Sequence, residues 1–136
     1  MRKVLITGGS RGIGKATAEK FRSCGYEVEA PTRQELNLTD KASIAAYVEK
    51  HRDTYFDVIV NNAGSNDIHE IEDITDEEIE QMTALNLIAP IKLIRGFAGK
   101  MKALGCHTVG VRRRVGEKPE TVDELYGSEA LDSLLP

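Results

Sequence analysis

The stretch Thr7-Gly8-Gly9-Ser10-Arg11-Gly12-Ile13-Gly14 limits the fold more than any other part of this chain. It follows Val4-Leu5-Ile6, a short continuous apolar run that reads as a buried strand. It precedes residues 13–24, where Ile13, Ala16, Thr17 and Phe21 recur at helical spacing, and Gly25 stands where a helix C-terminal glycine belongs. Glycines between a strand and a helix let the backbone turn sharply and approach a bound group closely. Amide N–H groups at the head of such a helix hold an anion, aided by the helix dipole. Strand, loop and helix in that order make a phosphate the expected ligand.

Two phosphate-binding patterns compete for these residues. The run from Gly9 to Lys15 fits seven positions of G-x-x-x-x-G-K-[ST], but the eighth is Ala16, so the hydroxyl that would hold magnesium is missing. The later apolar run at 56–60 ends in Asn61-Asn62 and offers no aspartate for a metal. A nucleoside-triphosphatase is therefore disfavoured. A glycine turn that holds no ligand is the bland alternative.

The rest of the first half alternates between two periods. Residues 26–30 read as a second strand, stopped by Pro31. Thr39-Asp40 offers caps for a helix over 41–51, with Ile44 and Val48 on its inner face. Residues 56–60 read as a third strand. Strand, helix, strand, helix, strand predicts a parallel sheet with helices on both faces. Residues 67–80 are acidic and contain no Lys or Arg. An acidic docking surface is one reading, but Thr75-Asp76-Glu77-Glu78 favours a solvated loop entering a helix through a capping box. Ile79, Met82, Leu85, Asn86, Ala89 and Leu93 then predict one buried stripe on a helix reaching about residue 104, bent near Pro90. Beyond Gly105, residues 108–111 suit a fourth strand and 121–135 a last amphipathic helix.

Composition narrows the function classes. A chain of 136 residues supports one domain, here 1–136. Eighteen basic against twenty-two acidic residues leave a net charge of −4, which disfavours nucleic acid and anionic membranes as partners. No apolar run approaches a membrane span, and the first residues do not read as a signal peptide. Two cysteines, Cys24 and Cys106, make no disulfide framework, which points to a reduced cytoplasmic setting.

Three motifs together resemble the short-chain dehydrogenase/reductase family. They are Thr7-Gly8-x-x-x-Gly12-x-Gly14, then Asn61-Asn62-Ala63-Gly64, then Asn86 followed by Leu87 and Pro90, in the family's order and at compatible spacing. The resemblance covers about residues 1–105, with 106–136 a divergent tail. It implies a Rossmann-type doubly wound parallel sheet binding NAD or NADP at the carboxyl ends of its strands. It implies that Gly8, Ser10, Arg11, Gly12, Ile13 and Gly14 take the pyrophosphate, and that Asn62, Ala63 and Gly64 line the adenosine and ribose side. It places Asn37 and Leu38 where the family contacts the adenine. It implies that Asn86 orders a water in a proton relay; a buried amide that bonds the helix backbone at a bend is the structural alternative. It also implies a homo-oligomer, a dimer or tetramer paired through helices at 75–104 and 126–135.

Between the nicotinamide cofactors, residues 30–33 read Ala-Pro-Thr-Arg, with no acid before Glu35 to accept the ribose hydroxyls of NAD. Arg33 suits the 2′-phosphate of NADP, and Arg11 offers a second contact. NADP is therefore the expected cofactor, with NAD the alternative.

The family's chemistry uses a serine, a tyrosine and a lysine, the last two four residues apart on one helix face. The tyrosine exchanges a proton with a small carbonyl or alcohol substrate while hydride moves to or from the nicotinamide. Tyr126 is the matching tyrosine, but Ala130 stands four residues on and Glu129 beside it would push a phenol's pKa upward. Arg112-Arg113-Arg114 occupies the place of the serines; it reads as a solvated basic turn, with a local anion site as the alternative. The remaining strands and the substrate-covering loop of the family are not seen, so the sheet is expected to be incomplete at its C-terminal end. A truncated member, or one with a shifted reading frame after Gly105, is the expectation. Two functions follow: an NADP(H)-dependent oxidoreductase with an incomplete catalytic set, or a nucleotide-binding remnant without turnover.

Overall fold

The computed structural model describes residues 1–66, 69–103, 109–112 and 124–127. Residues Met1–Met101 pack as one compact unit and Lys102–Pro136 group as another.

In the first unit the elements are β1 (Lys3–Ile6), α1 (Gly12–Ser23), β2 (Glu27–Glu29), α2 (Lys41–Lys50) and β3 (Val58–Val60). After them come a short 3-10 turn (Ile71–Asp73), α3 (Asp76–Thr83), a π-helical segment (Ala84–Ile88) and α4 (Ala89–Ala103). β1 lies between β2 and β3 and pairs with both in parallel, Leu5 opposite Glu29 on one side and Ile59 on the other. The chain therefore leaves β1 for one edge, then crosses back over it to the other. That reversal makes the carboxyl end of β1 a topological switch point, where open α/β sheets bind their ligands.

The alternation of side chains along β1 builds the two faces. Val4 and Ile6 pack with Ala18 and Phe21 of α1 on one face. Leu5 points the other way, into a core with Ile44 and Tyr47 of α2 and with Ala89, Leu93 and Phe97 of α4. All three strand residues are fully buried, as expected for a strand covered on both sides. Phe56 and Phe97 meet edge to face with centroids 5.2 Å apart, which adds about 0.5–1.5 kcal/mol beyond the area they bury. This is the doubly wound α/β arrangement expected from the strand-helix alternation.

A polar cluster secures β2, the edge strand, to α2. The Glu29 carboxylate accepts from the Tyr47 hydroxyl and meets His51 Nε2, each at 3.1 Å. The Tyr47 and His51 rings lie 4.2 Å apart. Burial, then the Glu29 carboxylate, pushes the Tyr47 phenol far above its ordinary pKa, so it stays a donor.

The helix caps follow the sequence. Asp40 accepts from the Ala42 N–H at the head of α2. Thr75 and Glu78 form the capping box of α3, with Glu78 accepting the Thr75 N–H at 2.8 Å and Thr75 Oγ1 accepting the Glu78 N–H at 3.2 Å. The Thr75 N–H is the main cause holding Glu78 below the ordinary glutamate range, and His69 Nε2, 3.1 Å away, adds to it. A lowered carboxyl pKa means the cap contributes fully above the ordinary range and is lost as pH falls through the lowered value. The protection of amides in the first turn of α3, relative to their intrinsic exchange at each pH, is therefore expected to fall on acidification, and Glu78→Gln is expected to flatten that dependence.

Two helix expectations are adjusted. The run from 76 to 103 is not one continuous α-helix: near Pro90, as expected, it is distorted, and the distortion takes the form of the π-helical segment just before the proline, where the Ala89 N–H reaches back to the Ala84 carbonyl. Pro90 explains this, because it has no N–H for the Asn86 carbonyl and its ring crowds that oxygen. The expected buried stripe is also shorter, since Ala89 and Leu93 are buried while Ile79 is 49% exposed. Leu87, Ile91 and Ile94 are also exposed, so this helix carries an apolar face outward.

In the second unit, β4 (Val109–Arg112) pairs in parallel with β5 (Glu124–Gly127), Val111 opposite Tyr126. The fourth strand is thus found where expected. The helix expected over 121–135 is corrected at 124–127, which form a strand. Its apolar spacing over so few residues fits either period, and strand pairing supplies the backbone partners. Arg113 and Arg114, and the rest of the expected helix, lie outside the described residues. Among the described residues no helix is long and apolar enough to cross a membrane.

Candidate functional site

The carboxyl ends of β1 and β3 are tied together by two polar side chains. Thr7 is buried, and its hydroxyl oxygen accepts the N–H groups of Asn62 at 3.1 Å and Ala63 at 3.0 Å. Asn62 returns the tie, its amide nitrogen donating to the carbonyls of Thr7 at 3.1 Å and Gly8 at 3.2 Å. The glycine loop is thereby clamped at its start.

The glycines answer to geometry at particular points. Gly8 has φ +68°, and a Cβ there would come within 2.9 Å of the Ala63 backbone. A Cβ on Gly14 would collide with the Gly8 carbonyl oxygen and the Asn62 amide. The first turn of α1 is thus pressed onto the loop, which aims the N–H groups of residues 12–14 out of the helix head. No side chain caps α1 and its first turn has no acid, whereas α2 and α3 are both capped. Those amides lack an internal acceptor, as an anion-binding helix head requires.

Beside this loop lies an open cleft of about 380 Å³. Gly8 and Ser10 form one wall, residues 31–33 and 36–39 another, and Ala63, Ser65, Gln81 and Leu85 the far side. Arg33 is the one charged residue among them. The expected site residues Gly8, Ser10, Arg33, Asn37, Leu38 and Ala63 meet here. Arg11, Gly12, Ile13 and Gly14 are not among its lining residues and belong to the adjoining loop and helix head. Asn62 spends its amide on the loop, and Gly64 packs against Asn86, whose Oδ1 would lie 3.2 Å from a Cβ.

Asn37 holds its own loop. Its Oδ1 accepts from the Thr39 N–H and hydroxyl, at 3.2 and 2.8 Å, and its N–H donates to Ser43 Oγ. The turn therefore shapes the cleft wall before any ligand arrives. Lining residues outside the expected site set are Thr7, Pro31, Thr32, Leu36, Thr39, Ser65, Gln81 and Leu85. Of these, Thr7, beside the first glycine, carried a readable signal.

Asn86 departs from both of its expected structural settings. It is exposed rather than buried, and it bonds a loop rather than the helix backbone. Its Oδ1 accepts the Ser65 N–H at 3.0 Å and its Nδ2 donates to the Ser65 carbonyl at 2.7 Å. The π-helical bulge turns this side chain toward the segment after β3. Tyr126, the other expected catalytic residue, belongs to β5 rather than to a helix.

The model of the family described as short chain dehydrogenase matches residues 32–128. The chain belongs to this family. Among curated relatives, the uncharacterized oxidoreductase YvrD of Bacillus subtilis is 31% identical, covering 85% of this chain and 52% of the relative. The L-2,3-butanediol dehydrogenase of Corynebacterium glutamicum is 28% identical over 74% of this chain and 49% of its own length. The chain spans about half the length of the curated relatives it matches. A short-chain dehydrogenase structure from Streptomyces avermitilis superposes with a TM-score of 0.73 at 26% identity, covering 81% of this chain and 48% of the other. The L-sorbose reductase of Gluconobacter frateurii, solved with NADPH and L-sorbose, gives 0.70 at 25% identity, covering 81% and 51%. Short-chain dehydrogenases are thus similar to this chain in both sequence and fold, and the Rossmann-type sheet is shared with them.

Proposed function

We propose that this chain is an oxidoreductase with an incomplete catalytic set, which uses NADP(H) in preference to NAD(H) and acts on a small carbonyl or alcohol. The observation that carries the reading is the pairing of an uncapped α1 head, pressed onto a glycine loop, with a cleft whose single charge is Arg33. The N–H groups of residues 12–14 suit the pyrophosphate, together with Ser10 and Arg11 of the loop. The cleft suits the adenosine end, with Asn37 and Leu38 beside the adenine and Arg33 available to a 2′-phosphate. The L-sorbose reductase was solved with NADPH and 4-hydroxyisoleucine dehydrogenase with NADH, so the preference rests on Arg33 and the lack of a lining carboxylate.

When bound, the nicotinamide supplies or accepts hydride. Asn86 fixes the backbone at Ser65 on the cleft's far side, and we assign it the ordering of a water for proton transfer. Tyr126 is the proposed proton donor to the substrate oxygen. The outward apolar face of Leu87, Ile91 and Ile94 supports assembly as a homo-oligomer.

A second reading, nucleotide binding without turnover, is favoured by one observation: residues 124–127 form a strand, so Tyr126 does not share a helical face with a partner four residues on. Calorimetric titration with NADP and NAD tests binding, and loss of NADPH absorbance with ketones and aldehydes tests turnover. The oxidoreductase reading expects NADP to bind more tightly, turnover with some carbonyl, and its loss in Tyr126→Phe. Binding without turnover selects the second reading. Absence of binding would overturn both.

A further inference from the structure

Loop 31–39 carries one carboxylate, Glu35, and that carboxylate is kept out of the cleft. Glu35 Oε2 accepts the Thr32 N–H at 2.8 Å and the Thr32 hydroxyl at 2.9 Å. The backbone closes the same turn from the other side, the N–H groups of Glu35 and Leu36 donating to the Thr32 carbonyl at 3.1 and 2.9 Å. Leu36 then anchors the turn, buried with Ile44 and Tyr47 of α2. The result is a single closed turn that places Thr32 and Arg33 along the cleft while Gln34 and Glu35 are not among its lining residues.

We propose that Glu35 is a positioning residue for cofactor choice: by gripping Thr32 it holds Arg33 at the cleft and withdraws the loop's negative charge from the place of a 2′-phosphate. The inference deepens the NADP reading and rests on it. A free carboxylate at this loop would repel a phosphate and accept ribose hydroxyls instead, which is the chemistry of an NAD site. The same grip explains why Glu35 is held below the ordinary glutamate range, the Thr32 N–H being the main cause. Thr32-x-x-Glu35 has the spacing of a capping box and makes one half of it, the Glu35 carboxylate accepting the Thr32 N–H, while the Glu35 N–H goes to the Thr32 carbonyl instead of the hydroxyl; no helix follows.

The test is the ratio of NADP to NAD affinity, measured by calorimetry on the full chain. Glu35→Ala is expected to lower NADP affinity about fivefold, the effect of losing a typical N-cap, with NAD affinity unchanged. Glu35→Gln keeps an acceptor oxygen for Thr32 and is expected to retain the wild-type ratio within about twofold. An unchanged ratio in Glu35→Ala would overturn the proposal. So would an equal fall for both cofactors, which marks a merely structural residue, or a Gln variant as impaired as the Ala variant. Arg33→Ala separates the levels: if it removes the preference and Glu35→Ala does not, the NADP reading stands and this inference falls. A wild-type chain that binds neither dinucleotide overturns both.

Discussion

Gly14→Ala is expected to weaken dinucleotide binding at least tenfold and to destabilise the fold, although alanine favours helices. Two effects oppose each other. Replacing a helical glycine by alanine gains about 1 kcal/mol of propensity. Against this, the new Cβ falls on the Gly8 carbonyl oxygen and the Asn62 amide. Both belong to the clamp between β1 and β3, so neither can yield as a flexible side-chain tip would. Overpacking of a rigid site costs about 1–3 kcal/mol, occasionally more, so the collision outweighs the propensity. The backbone must move apart where the loop meets α1, and the N–H groups of residues 12–14 lose their common aim. Thermal denaturation should fall by roughly 3–4 °C for each kcal/mol lost in a chain of this length. Gly12→Ala is the contrast. It meets nothing within 4 Å and is opposed only by its φ of +53°, so its effect should be smaller. Equal binding by wild type and Gly14→Ala would show that the close approach has no part in the site.

Arg33→Asp is expected to reverse the cofactor preference. Arg33 is the one charged residue along the cleft, so its replacement turns the lining from positive to negative. A charge-assisted hydrogen bond contributes about 1.5–3 kcal/mol, and its loss should lower NADP affinity roughly 10- to 100-fold. The new carboxylate can accept ribose hydroxyls, so NAD affinity should hold or rise. Calorimetric titration of both cofactors against both proteins measures the change. A ratio that does not move would reduce Arg33 to exposed surface charge.

Much of the fold over residues 1–64 is legible in the sequence, because there each local signal has one structural outcome. An apolar triplet before glycines must be an inner strand, and Asp40 and Thr75 cap the helices that follow them. Elsewhere the signals were ambiguous or distant. Residues 124–127 carry too few apolar positions to separate period two from period 3.6, and a strand partner decided the matter. Near Pro90 the distortion is legible in the sequence but its form is not, since proline disturbs the residues before it and here yields a π-helical turn. Asn86 looked like a misplaced polar residue on a buried stripe, because the bulge that turns it outward leaves no trace in spacing. The Glu29, Tyr47 and His51 cluster joins residues far apart in sequence. The Thr32–Glu35 turn was readable in principle, since it has the spacing of a capping box, but it stands where no helix begins.

The most direct measurement is a backbone-amide NMR titration of the full chain with NADP. If the glycine loop and helix head hold the paired phosphates, the amides of Gly8, Ser10 and residues 12–14 should shift in a saturable way together with those of Thr32 and Arg33. The contradicting result is saturable binding that leaves those amides unmoved and shifts another surface, or a spectrum that NADP does not change at all.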